Sequence, residues 1–247
     1  MKLFALADLH LSGSVHKPMD KFGSRWTDHA EKIRTRWSRL VRDDDTVVIP
    51  GDISWAADLE EAADDFRFIA SLPGKKIISK GNHDFWWTGL SKMKKFLRDL
   101  GIDSIDFLHN NALCADGFIL TGTRGWFIEE KLQSTVFPTD YEKLVNREVI
   151  RLGLSLDEAE KMRSGDEEIL VFLHFPPLWS DFVCEPILET MTKRGVRRCF
   201  FGHIHGVYNV PGVTRYGELE LRLISSDYLD FIPQYIAPRN PEKIVNF

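Results

Sequence analysis

The 247-residue sequence predicts an α/β fold, and three observations lead there. Short apolar runs alternate with segments of helical periodicity up to about residue 100, joined by links that suit neighbouring elements of a parallel sheet. Five of the apolar runs along the chain end in side chains able to bind metal or carry a proton, as sites do at the carboxyl ends of strands in open α/β sheets. With 43% hydrophobic and 28% charged residues, the chain also has the means to bury a sizeable core.

The elements follow in order. Leu3–Ala7 is continuously apolar, as a strand covered on both faces must be, and stops at Asp8-Leu9-His10. Residues 11–26 are expected to form a loop. Residues 27–42 form a helix starting from a Thr27 or Asp28 cap, with Ile33, Trp37 and Leu40 at helical spacing. Thr46–Ile49 is a second strand leading into Pro50-Gly51-Asp52, and Asp58–Leu72 a helix halted by Pro73-Gly74. A third strand from Lys75 closes in the turn Gly81-Asn82-His83-Asp84, and a helix over 88–100 ends at Gly101. Ala112–Cys114 and Phe118–Thr123, joined around Asp116-Gly117, make a hairpin.

Residues 139–163 are charged with helical periodicity and predict one or two exposed helices within a helical insertion over 124–168. Ile169–Leu173 is a strand ending at His174. A helix near 186–194 leads to the strand Val196–Phe201, which ends at Gly202-His203-Ile204-His205. Short strands are expected over Val207–Val210, Val213–Tyr216 and Glu218–Ser225, and the proline-rich tail 228–247 reads as irregular. No linker or repeat interrupts the chain, so one domain over 1–247 is expected.

Charge and cysteine usage exclude several classes. The net charge is −5 and the basic residues are scattered, which argues against a nucleic-acid partner and leaves a small phosphorylated substrate open. Cys114, Cys184 and Cys199 form no C-x-x-C pair, which suits reduced thiols in the cytoplasm. The apolar run after Met1-Lys2 is too short for a secretion signal, and no stretch is long enough to span a membrane.

The strand-end residues are Asp8 and His10, Asp52, Asn82 and His83, His174, and His203 with His205. In extended backbone, residues two apart point the same way, so Asp8 with His10 and His203 with His205 are each expected to aim two ligands together. Two carboxylates, an amide oxygen and four imidazoles, with His83 to spare, are too many for one tetrahedral zinc. The mixed N/O set suits Mn, Fe, Zn, Co or Ni, and two ions sharing Asp52 account for the excess.

The set Asp8-x-His10, Gly51-Asp52, Gly81-Asn82-His83-Asp84, His174 and Gly202-His203-x-His205 resembles the calcineurin-like metallophosphoesterase family, with the motifs in family order over residues 8–205. The resemblance implies a four-layer α/β/β/α sandwich with a dinuclear metal site at the carboxyl ends of the strands. It implies Asp8, His10, Asp52 and His205 on one metal, and Asp52, Asn82, His174 and His203 on the other. His83 would protonate the leaving group while a metal-bound hydroxide attacks phosphorus in a phosphomonoester or phosphodiester.

Departures from the pattern place the chain with bacterial-type members. Eukaryotic Ser/Thr protein phosphatases have Asp-Arg-Gly after the second motif and Glu after Asn-His, where Ile53-Ser54 and Asp84 stand here. Trp55 occupies the position of the metal-binding tyrosine of purple acid phosphatases. Asp84 and Asp58 are the candidate carboxylates to orient His83. Arg124 and Arg25, with Lys17, are candidates to receive a substrate phosphate. Phe85-Trp86-Trp87 is expected to pack beneath the site, with a stacking platform as the alternative. His16, His29 and His109 lie outside the motifs and are expected to be caps or surface residues. An interaction scaffold without turnover, or a nuclease, is the competing function.

Overall fold

The computed structural model describes residues 1–127 and 138–239. The first sheet is built on β1 (Leu3–Ala5), β2 (Thr46–Pro50), β3 (Lys75–Ser79) and β4 (Ile105–Phe107), parallel throughout. Helices α1 (His29–Leu40), α2 (Ala63–Ser71) and α3 (Leu90–Asp99) connect them in turn.

The second sheet pairs β5 (Ala112–Ala115) antiparallel with β6 (Phe118–Thr123), and continues in parallel through β7 (Glu168–Leu173). A small hairpin, β8 (Leu178–Trp179) with β9 (Phe182–Val183), precedes β10 (Arg198–Phe201), which lies parallel to β7. The edge strand β11 (Val213–Tyr216) runs antiparallel to β12 (Leu219–Leu223), which is parallel to β10. Finally β13 (Gln234–Ile236) returns to the first sheet, antiparallel to β1. Helices α4 (Pro138–Met162) and α5 (Glu185–Lys193) belong to the second half.

Side-chain alternation along the strands makes four layers. Leu3, Ala5, Val48 and Ile77 of the first sheet pack against Phe118, Leu120, Phe172 and Phe200 of the second. Their chain neighbours Phe4, Val47, Ile49 and Ile78 turn the other way, onto Ile33, Trp37, Phe66 and Met93 of the first three helices. Ile119, Val171, Cys199 and Phe201 turn outward onto Leu152 and Leu156 of α4 and Ile187 and Leu188 of α5. The result is an α/β/β/α sandwich with three apolar cores, in which each central strand is covered on both faces. Ala7 bridges Ser225 in parallel, so β1 and β12 run the same way and both sheets present their carboxyl ends along one edge.

Several sequence expectations change. The second helix begins at Ala63, because Asp58 turns its carboxylate onto the Glu61 amide and closes a separate turn first. Asp28 caps α1 through a left-handed backbone (φ 52°) and makes no side-chain hydrogen bond. The 139–163 region is one helix, and it is not solvated all round. Val145, Leu152, Leu156 and Ala159 are buried, an apolar stripe diluted by charges on the other faces. Val207–Val210 forms no strand. The tail expected to be irregular contributes β13, and β4, β8 and β9 were also missed, since two or three residues are too few to show alternation. Parts of the expected insertion and tail, residues 128–137 and 240–247, lie outside the described residues. Among the described residues no helix is long and apolar enough to cross a membrane.

Candidate metal centre

The loops leaving the strands at this edge turn sharply. Asp8, His10, Asp52 and His203 all have positive φ, at 62°, 47°, 51° and 71°. Non-glycine residues rarely hold that conformation, and it gathers where surrounding structure imposes it at functional sites. Two glycines let the loops meet. A Cβ on Gly51, whose φ is 93°, would lie 2.6 Å from His174 Nδ1 and 2.7 Å from the Cα of Gly81, and one on Gly81 would strike the Asp52 carboxylate. Asp52 in turn accepts the His83 amide at 2.8 Å.

The donors converge in two groups: Asp8, His10 and His205, and Asp52, His174 and His203, the ligand atoms of each within 4.8 Å of one another. Asp52 faces both. Its Oδ2 is 3.7 Å from His10 Nε2 and its Oδ1 is 3.6 Å from His174 Nε2. Asn82 joins the second group, its Oδ1 2.6 Å from His174 Nε2. Asp8 and His10 do fall together, although in left-handed rather than extended backbone. His203 and His205 instead separate into different groups, which corrects the expectation that spacing by two aims both at one point. Alternation holds only in extended chain, and positive φ at His203 breaks it.

Hydrogen bonds from behind select the tautomers. His174 Nδ1 lies 3.2 Å from the Pro50 carbonyl, and His205 Nδ1 lies 2.8 Å from Asp227 Oδ1. An imidazole that donates from Nδ1 presents a bare Nε2, the form that ligates metal. The His174 Nε2 lone pair then meets the Asn82 oxygen, and the His205 Nε2 meets that of His10 at 3.2 Å.

Burial pushes the Asp8 carboxyl up to about 7, with the His205 ring opposing and the Asp52 charge adding to the push. It also raises Asp52. Burial, with neighbouring rings adding, holds His174 down near 3 and His203 near 2, and holds His10 well below the usual histidine range. His205 goes the other way: against the burial that disfavours its charge, Asp8 and Asp227 hold it above the ordinary value. Buried carboxylates short of counter-charge, set among neutral imidazoles with opposed lone pairs, fit divalent cations.

His83 is half-buried beside the two groups, its ring 4.3 Å from that of Trp55 and 5.8 Å from that of His10, centroid to centroid. Among the described residues no carboxylate is hydrogen-bonded to this ring. Asp84 is buried and accepts the amides of Asp52, Ile53, Ser54 and Gly81 together with the Trp86 indole N–H, so it ties the second and third loops together. Asp58 serves its turn. Trp55 stacks on His10 at 5.0 Å and receives the Lys17 ammonium 4.2 Å above its ring. Trp86 is core, whereas Phe85 is 63% exposed, so the aromatic cluster divides.

Asp227 was absent from the sequence candidates. It holds His205, the Gly206 amide at 2.9 Å and the Tyr208 hydroxyl at 3.3 Å. The available signal was the one that found the other residues: a carboxylate just past an apolar strand. Arg25 donates to the Asp227 carbonyl at 2.8 Å and lies 3.9 Å above the Tyr208 ring, which commits it to this corner. Arg124 stands on the opposite flank, where its carbonyl accepts the His174 and Phe175 amides. His29 is buried, its Nε2 3.2 Å from the His10 carbonyl, rather than a surface residue. His16 and His109 are exposed.

The chain belongs to the calcineurin-like phosphoesterase family, whose model matches residues 1–207. Members bind two divalent metals, and this chain brings together two candidate donor groups. Among solved structures the chain is similar to phosphopantetheinyl hydrolase (PptH) from Mycobacterium tuberculosis, at 14% identity and TM-score 0.55 over 99% of this chain and 98% of that one. A protein of unknown function from Aquifex aeolicus, AQ665, aligns at 16% identity and TM-score 0.48 over 95% of each chain. At 14% identity the likeness to the hydrolase is one of fold. No curated protein matches the chain at a significant level.

Proposed function

We propose that this chain is a dimetal phosphoesterase hydrolysing a small phosphorylated substrate. Asp8, His10, Asp52 and His205 hold one ion, and Asp52, Asn82, His174 and His203 the other. The observation that carries this reading is Asp52 itself, one carboxylate with an oxygen turned to each donor group. The N/O donor set without thiolate suits Mn, Fe, Zn, Co or Ni. When bound, two ions would supply a water acidified toward neutrality and positive charge to clamp the oxygens of an in-line displacement.

The chain's own residues do the rest. His83 lies outside both donor groups and, among the described residues, its ring is hydrogen-bonded to no carboxylate and packs against Trp55, so its proton is available to a leaving oxygen. Burial lowers its pKa, Asp52 works against that, and Lys17 reinforces it. A bound phosphate adds negative charge beside the ring and favours the imidazolium. Asp84 keeps the loops carrying Asp52 and His83 in register.

The test is metal-loaded hydrolysis of an aryl phosphate. Asp52→Asn is expected to bind fewer than two ions and lose hydrolysis. His83→Ala is expected to keep both ions while turnover falls by roughly 10²–10⁴-fold. Elemental analysis beside the assay separates an enzyme from a scaffold. Full turnover in metal-depleted Asp52→Asn would sink the reading.

A further inference from the structure

A cavity of about 320 Å³ opens at the same edge of the sandwich, outside the metal centre. Ser79 at the end of β3, Leu108 after β4 and Gly122-Thr123 at the end of β6 form its floor, and Arg147 and Arg151 of α4 wall it in. Its position relative to the metal centre follows from the topology. Ser79 lies three residues before Asn82, and Thr123 pairs with Leu173, which precedes His174. The cavity therefore adjoins the Asn82 and His174 side of the site.

Its chemistry is one-sided. Lys80, Arg124, Arg147 and Arg151 line it, with His109 beside them. The carboxylate within ion-pair distance of these cations among the described residues is Glu148, 2.9 Å from Arg151 and 3.5 Å from Arg147, and it also accepts the Thr123 hydroxyl at 2.6 Å. Arg147 and Arg151 share that carboxylate, and Lys80 and Arg124 have no ion-pair partner among the described residues. Ser79, Trp87 and Arg124 line the cavity, and their Oγ, Nε1 and Nε atoms are each buried with no hydrogen-bond partner among the described residues. All three are donors, and buried donors left unmet cost stability unless something accepts from them.

We propose that this cavity is a second phosphate site, which receives a phosphate group of the substrate other than the one hydrolysed at the metals. The inference rests on the phosphoesterase reading and narrows the substrate to molecules with two phosphorylated positions. The volume exceeds what a lone phosphate fills and falls at the lower end of small-ligand pockets, so part of the substrate linking the two groups enters with it.

Non-hydrolysable probes test it on the full chain loaded with Mn. Calorimetric titration compares linear alkane bisphosphonates of increasing length with the matching alkyl monophosphonates. At the length that spans the two sites the bisphosphonate is expected to bind at least about ten-fold more tightly, the gain expected from charge-assisted contacts to arginine. Arg147→Gln with Arg151→Gln is expected to reduce that preference to near unity. Lys80→Gln, which removes no partner of Glu148, is expected to reduce it in part should the double variant fail to fold. No preferred length, or a preference that survives both substitutions, overturns the proposal. Two equivalents of monophosphonate bound with no gain from tethering would mean a site for free phosphate, and also overturns it. Aryl phosphate turnover, followed in parallel, reports on the phosphoesterase reading by itself, since binding of these probes requires no hydrolysis.

Discussion

Asp227 holds the ring of His205 from behind and is joined there by the Gly206 amide and the Tyr208 hydroxyl. A carboxylate in that position fixes which imidazole nitrogen is bare and raises its basicity toward a cation. Asp227→Asn is expected to fold and to lose metal affinity by roughly 10–100-fold, read from Mn titration by calorimetry. An unchanged affinity would place Asp227 outside the metal centre's support. Asp84 shows the opposite case. Motif position made it a candidate to orient His83, yet its carboxylate is occupied by four backbone amides and an indole. Side-chain identity was legible at both positions. What each carboxylate touches was not, because their partners lie up to 32 residues away for Asp84 and 22 for Asp227.

Among the elements, the apolar strands were the most legible, since β2, β6, β7 and β10 are buried throughout or nearly so and each carries an apolar run of three residues or more. Helix α4 was legible in extent and not in role. Its charged faces suggested a solvated helix, whereas Leu152 is fully buried against the second sheet and α5, and Arg147 and Arg151 project to the cationic cavity. Leu152→Ala is expected to cost about 2–5 kcal/mol in urea denaturation, the range for a buried leucine whose cavity does not collapse. A cost under about 0.5 kcal/mol would mean the helix is held by its polar contacts instead.

At the scale of the whole molecule, Lys76 makes stability depend on pH. Its ammonium is buried behind β3, donating to the carbonyls of Leu72 at 2.6 Å and Gly74 at 2.7 Å. Burial depresses its pKa from 10.5 to about 8, with Asp43 opposing. Between those values the unfolded chain binds the proton and the folded chain does not, so stability should rise as pH increases through that window. Lys76 is then expected to add up to about 3 kcal/mol across the window, at 1.36 kcal/mol per pKa unit, and Lys76→Met to flatten the rise. Thermal unfolding at several pH values reads this, and a stability that falls equally in both proteins contradicts it.

The sequence by itself determined the α/β class, the donor inventory and the order in which donors appear, because strand-length apolar runs and the residues that end them are local features. Local pattern could not divide the donors into groups; the family resemblance implied a division, and only the tertiary structure decided how the backbone assembles each group. His203 and His205, two residues apart, belong to different groups, while Asp8 and His205 meet from opposite ends of the chain. Left-handed backbone at four of the donors, glycine contacts between loops and the parallel bridge of Ala7 to Ser225 bring this about. Each depends on a partner distant in sequence. The cationic cavity is of the same kind: Arg124 was a phosphate candidate in the sequence, but Lys80, Arg147 and Arg151 are scattered charges along the chain that join it in one site only when α4 closes over β6.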